Sequence, residues 1–128
     1  MIKSKQAGAS INISSYASLD VNYLRSSYGA TKTFNHYLSL GESIANYRSV
    51  DFLTVLPGWV STGLTGMARP GLLVSTVKET VEGSLKCLGQ KFQNFGAVRH
   101  VLFGEIVKVL YEFFPKKVVA DLIKGPIK

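Results

Sequence analysis

Two short β-type runs separated by one long helical stretch narrow the fold more than any other feature of the chain. The first run, residues 9–15, carries Ile11 and Ile13 at alternate positions and small residues after them, which reads as a strand ending near Ser14. The second, residues 50–56, is almost unbroken in apolar side chains and is stopped by Pro57-Gly58, the pattern of a strand covered on both faces. Between them, after a loop over 16–25, Ser26 and Ser27 stand as candidate helix caps. A helix of about five turns then runs to about residue 47, with Tyr28, Phe34, Tyr37, Leu38, Leu40, Ile44 and Ala45 as its apolar positions. Strand, helix, strand is a βαβ unit, and such a crossover obliges the two strands to run parallel. The expectation is an α/β fold.

Beyond Thr62 the pattern loosens. Gly63, Gly66, Pro70 and Gly71 mark a loop, a helix is expected over about 75–88, and a further short strand within 92–98, most narrowly 95–98. The stretch 101–122 has helical period and should divide at Pro115, because proline removes an amide donor and clashes with the preceding turn. Glu105, Lys108, Glu112, Pro115, Lys116, Lys117 and Asp121 interrupt its apolar character, so it cannot span a bilayer, though it can lie on one. Residues 1–10 are polar and show no secretory core.

Composition removes several classes. At 46% hydrophobic, 11% aromatic and 18% charged, the chain is too apolar to be disordered. The single cysteine, Cys87, cannot close an internal disulfide, and with His36 and His100 as the only histidines no zinc-type spacing exists, which suits a reducing compartment. Cys87 reads as a small apolar group, and the two histidines as surface or helix-packing residues. Asn12-Ile13-Ser14 matches a glycosylation acceptor, but a strand position favours burial. The net charge of +7 is scattered, without interleaved aromatic residues, so no nucleic-acid surface is expected; a phosphate-bearing cofactor or an acyl-CoA is the simpler partner.

In an open parallel sheet, ligands bind beyond the carboxyl ends of the strands. Ser14-Ser15 and Pro57-Gly58 leave those ends, and the helix between them starts near Tyr28. Tyr28 and Lys32 are i and i+4, one turn apart on one face. A free phenol holds its proton too tightly to serve as a proton shuttle at neutral pH, and a neighbouring ammonium corrects this by stabilising the phenolate. A Ser15 hydroxyl could then fix a carbonyl oxygen beside the phenol.

Ser15, thirteen residues before Tyr28, the segment Ser-Tyr-Gly-Ala-Thr-Lys, and Pro57-Gly58-Trp59-Val60-Ser61-Thr62 follow one another in order. This resembles the short-chain dehydrogenase/reductase family, with its Ser, Tyr-x-x-x-Lys and Pro-Gly-x-Val-x-Thr elements. The resemblance implies that Ser15 orients a substrate carbonyl, that Tyr28 is the general acid, and that Lys32 holds the nicotinamide ribose of NADP(H). Pro57, Gly58, Val60 and Thr62, together with Tyr28 and Lys32, would contact the cofactor, Thr62 near its carboxamide and Trp59 close by. Tyr-Gly-Ala-Thr-Lys-Thr-Phe, the stretch 65–70 with Arg69-Pro70, and the 100–115 tail are similar to the carboxyl-terminal portion of the very-long-chain 3-oxoacyl-CoA reductases and related 17-beta-hydroxysteroid dehydrogenases.

The family's Thr-Gly-x-x-x-Gly-x-Gly turn, its Asn-Asn-Ala-Gly segment and its helix asparagine are absent, and Asn12 is not that asparagine. Without a glycine-rich turn opening a helix, the pyrophosphate lacks its cluster of amide donors. Residues 1–128 therefore read as the carboxyl-terminal part of a Rossmann-type doubly wound domain, with the first half missing and the chain inactive alone. The implied activity is reduction of a ketone, a 3-oxoacyl-CoA or a 17-ketosteroid, at the endoplasmic reticulum membrane, with the cytoplasm as the alternative. Phe103, Tyr111, Phe113 and Phe114 read as substrate lid or core. The competing reading is a non-catalytic remnant whose basic, aromatic tail binds a membrane surface or a partner subunit, and an exposed sheet edge would favour oligomers.

Overall fold

The computed structural model describes residues 8–19, 25–46, 50–66 and 70–122. Strand β1 (Ala9–Ile13) leads through a 3-10 turn at Tyr16–Ser18 to helix α1 (Ser26–Asn46) and strand β2 (Asp51–Val55). The two strands pair in parallel, Ala9 opposite Asp51 through Ile13 opposite Val55, as the βαβ pattern requires. β2 is central and densely covered, with Leu53 fully buried, Val55 nearly so, and Leu56 just past its end fully buried as well. Its continuous apolar run reflects that double cover.

The third strand, β5 (Gln93–Asn94), lies on the far side of β2, so the sheet order is β1-β2-β5. It falls within 92–98 but not over 95–98. Asn94 Oδ1 accepts the Gly96 N–H at 3.0 Å and Gly96 adopts φ +76°, a turn that ends the strand before helix α3 (Val98–Phe113) begins. The region expected to be irregular contains a second, two-stranded parallel sheet, β3 (Trp59–Val60) with β4 (Val74–Ser75). Ser75 therefore belongs to a strand, and helix α2 (Val77–Leu85) starts from Thr76. There Thr76 and Glu79 form a reciprocal capping box. Pro115 separates α3 from helix α4 (Lys116–Leu122), with Phe114 extended ahead of it, as the residue before proline prefers.

Helix α1 is inverted relative to its expected face. Its apolar residues Phe34, Tyr37, Leu38 and Ile44 are between 51% and 70% exposed, whereas His36, Ser39 and Ser43 are buried against the sheet. The buried face is satisfied by hydrogen bonds: Ser39 Oγ accepts from Asn12 Nδ2 at 2.8 Å and from Thr54 Oγ1 at 2.7 Å. Asn12 thus has its amide engaged beneath the helix. His36 Nε2 lies 2.8 Å from Gln93 Oε1, linking α1 to β5. Neither histidine is a surface residue, since His36 is buried and His100 is 1% exposed. Cys87 is only half-buried. Among the aromatic tail residues, Phe103 packs on Tyr16 with ring centres 5.9 Å apart, while Phe113 and Phe114 face outward.

Candidate active site

The site is built where β1 and β2 end. Their parallel pairing continues past the last strand residues, with the Ser14 N–H donating to the Val55 carbonyl at 2.8 Å and the Tyr16 N–H to the Pro57 carbonyl at 3.0 Å. The two loops that leave the sheet therefore start side by side. Ser15 lies between these bonds in extended backbone. Its Oγ accepts the Ala17 N–H at 3.2 Å, capping the 3-10 turn, and retains a hydrogen to donate.

Helix α1 is fastened to this same end. Ser14 Oγ donates to the Lys32 carbonyl at 2.7 Å, and Thr33 Oγ1 reaches the Ser18 carbonyl at 3.1 Å. Lys32 Nζ and Asn35 Nδ2 both donate to the Ile13 carbonyl, each at 3.1 Å, which ties the ammonium to the strand end. The same Nζ lies 5.8 Å from the centre of the Tyr28 ring. Tyr28 is 44% exposed, so its phenol is open to a ligand from solvent. A phenol, an ammonium and a serine hydroxyl at one strand end can orient a carbonyl and deliver a proton to it.

The second loop continues that wall. Pro57 touches it through Tyr16, Gly58 follows, and Val60 pairs with Ser75 in the small sheet. Thr62 lies past the end of β3, and its hydrogen bonds go to Thr65, whose Oγ1 also donates to the Val60 carbonyl at 2.7 Å. These bonds gather Ser15, Lys32 and Pro57 at one strand end with Tyr28 beside Lys32, and connect Thr62 to them only along the backbone. The Arg25 guanidinium stands over the Trp59 ring at 5.6 Å, bridging the start of α1 to this loop. Arg69, a cue noted in the sequence, lies outside the described residues.

Two contributors were not legible in the sequence. Arg25 looked like a loop residue, and His100 like a packing histidine; both act across more than thirty positions of chain, which no local spacing signals. His100 places Nδ1 3.2 Å from the Gly58 N and Nε2 3.0 Å from the Trp59 carbonyl. A shallow hollow of about 210 Å³, lined by Val50, Asp51, Gly89 and Phe92 among others, opens at the amino-terminal end of β2, opposite the site. Among the described residues, no three His, Cys, Asp or Glu side chains gather as a metal site.

Comparison with known proteins decides the family. No family model matches the chain. The 17-beta-hydroxysteroid dehydrogenase type 3 of Danio rerio is 33% identical over 109 residues, covering 84% of this chain and 35% of that protein. The very-long-chain 3-oxoacyl-CoA reductase of Homo sapiens is 32% identical over 125 residues, covering 94% and 39%. A solved short chain dehydrogenase from Burkholderia cenocepacia J2315, in complex with NADP, superposes with a TM-score of 0.65 at 20% identity, over 94% of this chain and 48% of that one. The chain matches the carboxyl-terminal portion of the short-chain dehydrogenase/reductases. Its relatives in this family are oxidoreductases, and the sheet described above is part of their Rossmann-type fold. The chain spans well under half the length of the curated relatives it matches.

Proposed function

We propose that this chain is the substrate-facing and nicotinamide-facing part of an NADP(H)-dependent reductase that converts a ketone, a 3-oxoacyl-CoA or a 17-ketosteroid, to an alcohol. The observation that carries the reading is Lys32 Nζ, pinned to the Ile13 carbonyl and 5.8 Å from the Tyr28 ring at the carboxyl end of a parallel sheet. In this reading Ser15 donates to the ketone oxygen and holds it beside Tyr28. Tyr28 gives its proton to that oxygen, and Lys32 stabilises the phenolate left behind.

The residues present fit one end of the cofactor. Lys32, Tyr28 and Thr62 offer the donors that a ribose and a carboxamide need, and residues 57–62 form the adjoining wall. Among the described residues no Gly-x-x-x-Gly-x-Gly turn opens a helix to cluster amide donors for the pyrophosphate, and at α2 the Glu79 N–H is already taken by the Thr76 hydroxyl. The cofactor supplies a hydride when bound. An upstream segment carrying a glycine-rich turn would complete the domain, and 128 residues alone would be inactive.

For location, we propose the endoplasmic reticulum membrane surface of the parent protein, with the cytoplasm as the alternative. No helix among the described residues is long and apolar enough to cross a membrane. A second reading, a non-catalytic remnant that docks on a membrane or partner subunit, draws support from Leu102, Ile106, Val109 and Phe113, an exposed apolar stripe on α3 beside Lys108 and Lys116. The deciding experiment assays the full-length parent on a long-chain 3-oxoacyl-CoA and on a steroid ketone with NADPH, alongside Tyr28→Phe. Turnover on one substrate, reduced roughly 10²-fold or more by the substitution, is expected. Activity on neither favours the second reading, and a fully active Tyr28→Phe parent refutes the assignment of the acid.

A further inference from the structure

The backbone around Gly58 leaves one sheet for another, and no strand ladder serves the Gly58 N–H there. His100 serves it. The Gly58 N–H points at Nδ1, 3.2 Å away, while Nε2 lies 3.0 Å from the carbonyl of the next residue, Trp59. Nδ1 is also 3.2 Å from the Phe95 carbonyl, but a bond to that oxygen would need a hydrogen on Nδ1, which would then face the Gly58 N–H. A nitrogen facing an N–H must offer its lone pair, so Nδ1 is the acceptor and Nε2 carries the hydrogen that goes to Trp59. One ring thus takes a donor from one residue and gives a donor to the next.

A Cβ at Gly58 would lie 3.0 Å from the imidazole Cδ2 and 3.3 Å from Cγ, a crowded approach that the absent side chain avoids. At 1% exposure, the imidazole is shielded from water. The first turn of α3, which brings no residue expected to touch substrate, therefore fixes the backbone of the loop that does.

We infer that His100 is a positioning residue, holding Gly58 and Trp59 so that residues 57–62 present a fixed wall to the nicotinamide. This rests on the reductase reading given above. Lysine or arginine could not replace the imidazole, since neither can accept the Gly58 N–H. Leucine offers neither bond, whereas asparagine places an acceptor oxygen near the Nδ1 position.

The test has two arms. By ¹⁵N NMR of the cofactor-free full-length protein, His100 should be the Nε2–H tautomer, and His100→Leu should speed Gly58 amide exchange roughly tenfold, the loss of about one hydrogen bond. His100→Asn should restore most of that protection. Should the leucine variant not fold, the tautomer and the asparagine variant decide alone; an Nδ1–H tautomer, or Gly58 exchange indifferent to residue 100, overturns the inference. In the full-length reductase, His100→Leu should raise the NADPH KM roughly tenfold on the same basis, leave the ketone KM within about twofold, and be largely rescued by His100→Asn. Equal losses in every parameter would mean a merely structural role and overturn it. A wild-type parent that neither binds NADPH nor reduces a ketone sinks the reductase reading itself, a failure told apart by the amide arm, which needs no cofactor.

Discussion

Glu79 shows how one side chain serves two elements. Its carboxylate accepts the Thr76 backbone N–H at 2.8 Å, closing the capping box of α2, and takes an Arg99 ion pair from α3 at 2.6 Å. The Thr76 backbone bond is the main cause that holds its pKa below the ordinary 4.5; the Thr76 hydroxyl and Arg99 push the same way, against some desolvation. A carboxylate with a depressed folded-state pKa adds stability that is fully present above its unfolded value and is lost as pH falls through the folded one. Urea unfolding followed from pH 6 to pH 3 should therefore show a midpoint that declines below about 4.5, with Glu79→Gln giving a flatter profile. A slope unchanged by the substitution would remove Glu79 from the account. Ser15, Tyr28 and Lys32 were legible in the sequence because the resemblance rests on short spacings within one βαβ unit, and the structure sets all three at the same end of that unit. His100 was not, because its partners at Gly58 and Trp59 are 42 and 41 positions away.

Among the elements, the order strand, helix, strand was readable from period alone, and the break at Pro115 from the chemistry of proline. The face of α1 was not. Periodicity reports which residues are apolar and leaves open what covers them, so Phe34 and Tyr37 read as core while Ser39 and Ser43 made the contact with the sheet. The small sheet of β3 and β4 was equally hidden, since two-residue strands are too short to show alternation. Glycines on α1 and α2 offer opposite tests of this packing. A Cβ at Gly83 would come within 1.9 Å of the Gly96 carbonyl oxygen, so α2 sits directly on that turn, and Gly83→Ala should destabilise by roughly 1–3 kcal/mol or more. Gly41, with nothing within 4 Å, lies free on α1, and Gly41→Ala should stabilise by roughly 0.5–1 kcal/mol through helix propensity. Thermal unfolding of both variants checks the pair; a stable Gly83→Ala protein would show that α2 can shift away.

On the scale of the whole molecule, the sheet is covered unevenly. Among the described residues β1 pairs only with β2, and Ile11 and Ile13 remain 39% and 53% exposed on one side while the apolar stripe of α1 is open on the other. Apolar surface left in water forgoes about 25 cal/mol per Å², so the purified 128-residue chain should self-associate. On the proposed reading it should also fail to bind free NADPH, since the donors proposed among the described residues serve only the nicotinamide end. Size-exclusion chromatography with isothermal titration tests both expectations, and a soluble monomer binding NADPH at micromolar concentration would show the site to be complete. The open flank of β1 has a consequence for engineering. Along residues 9–12 the outer backbone groups pair with no other strand among the described residues, so a short extended peptide carrying a fluorophore could be clipped onto this edge as a reporter.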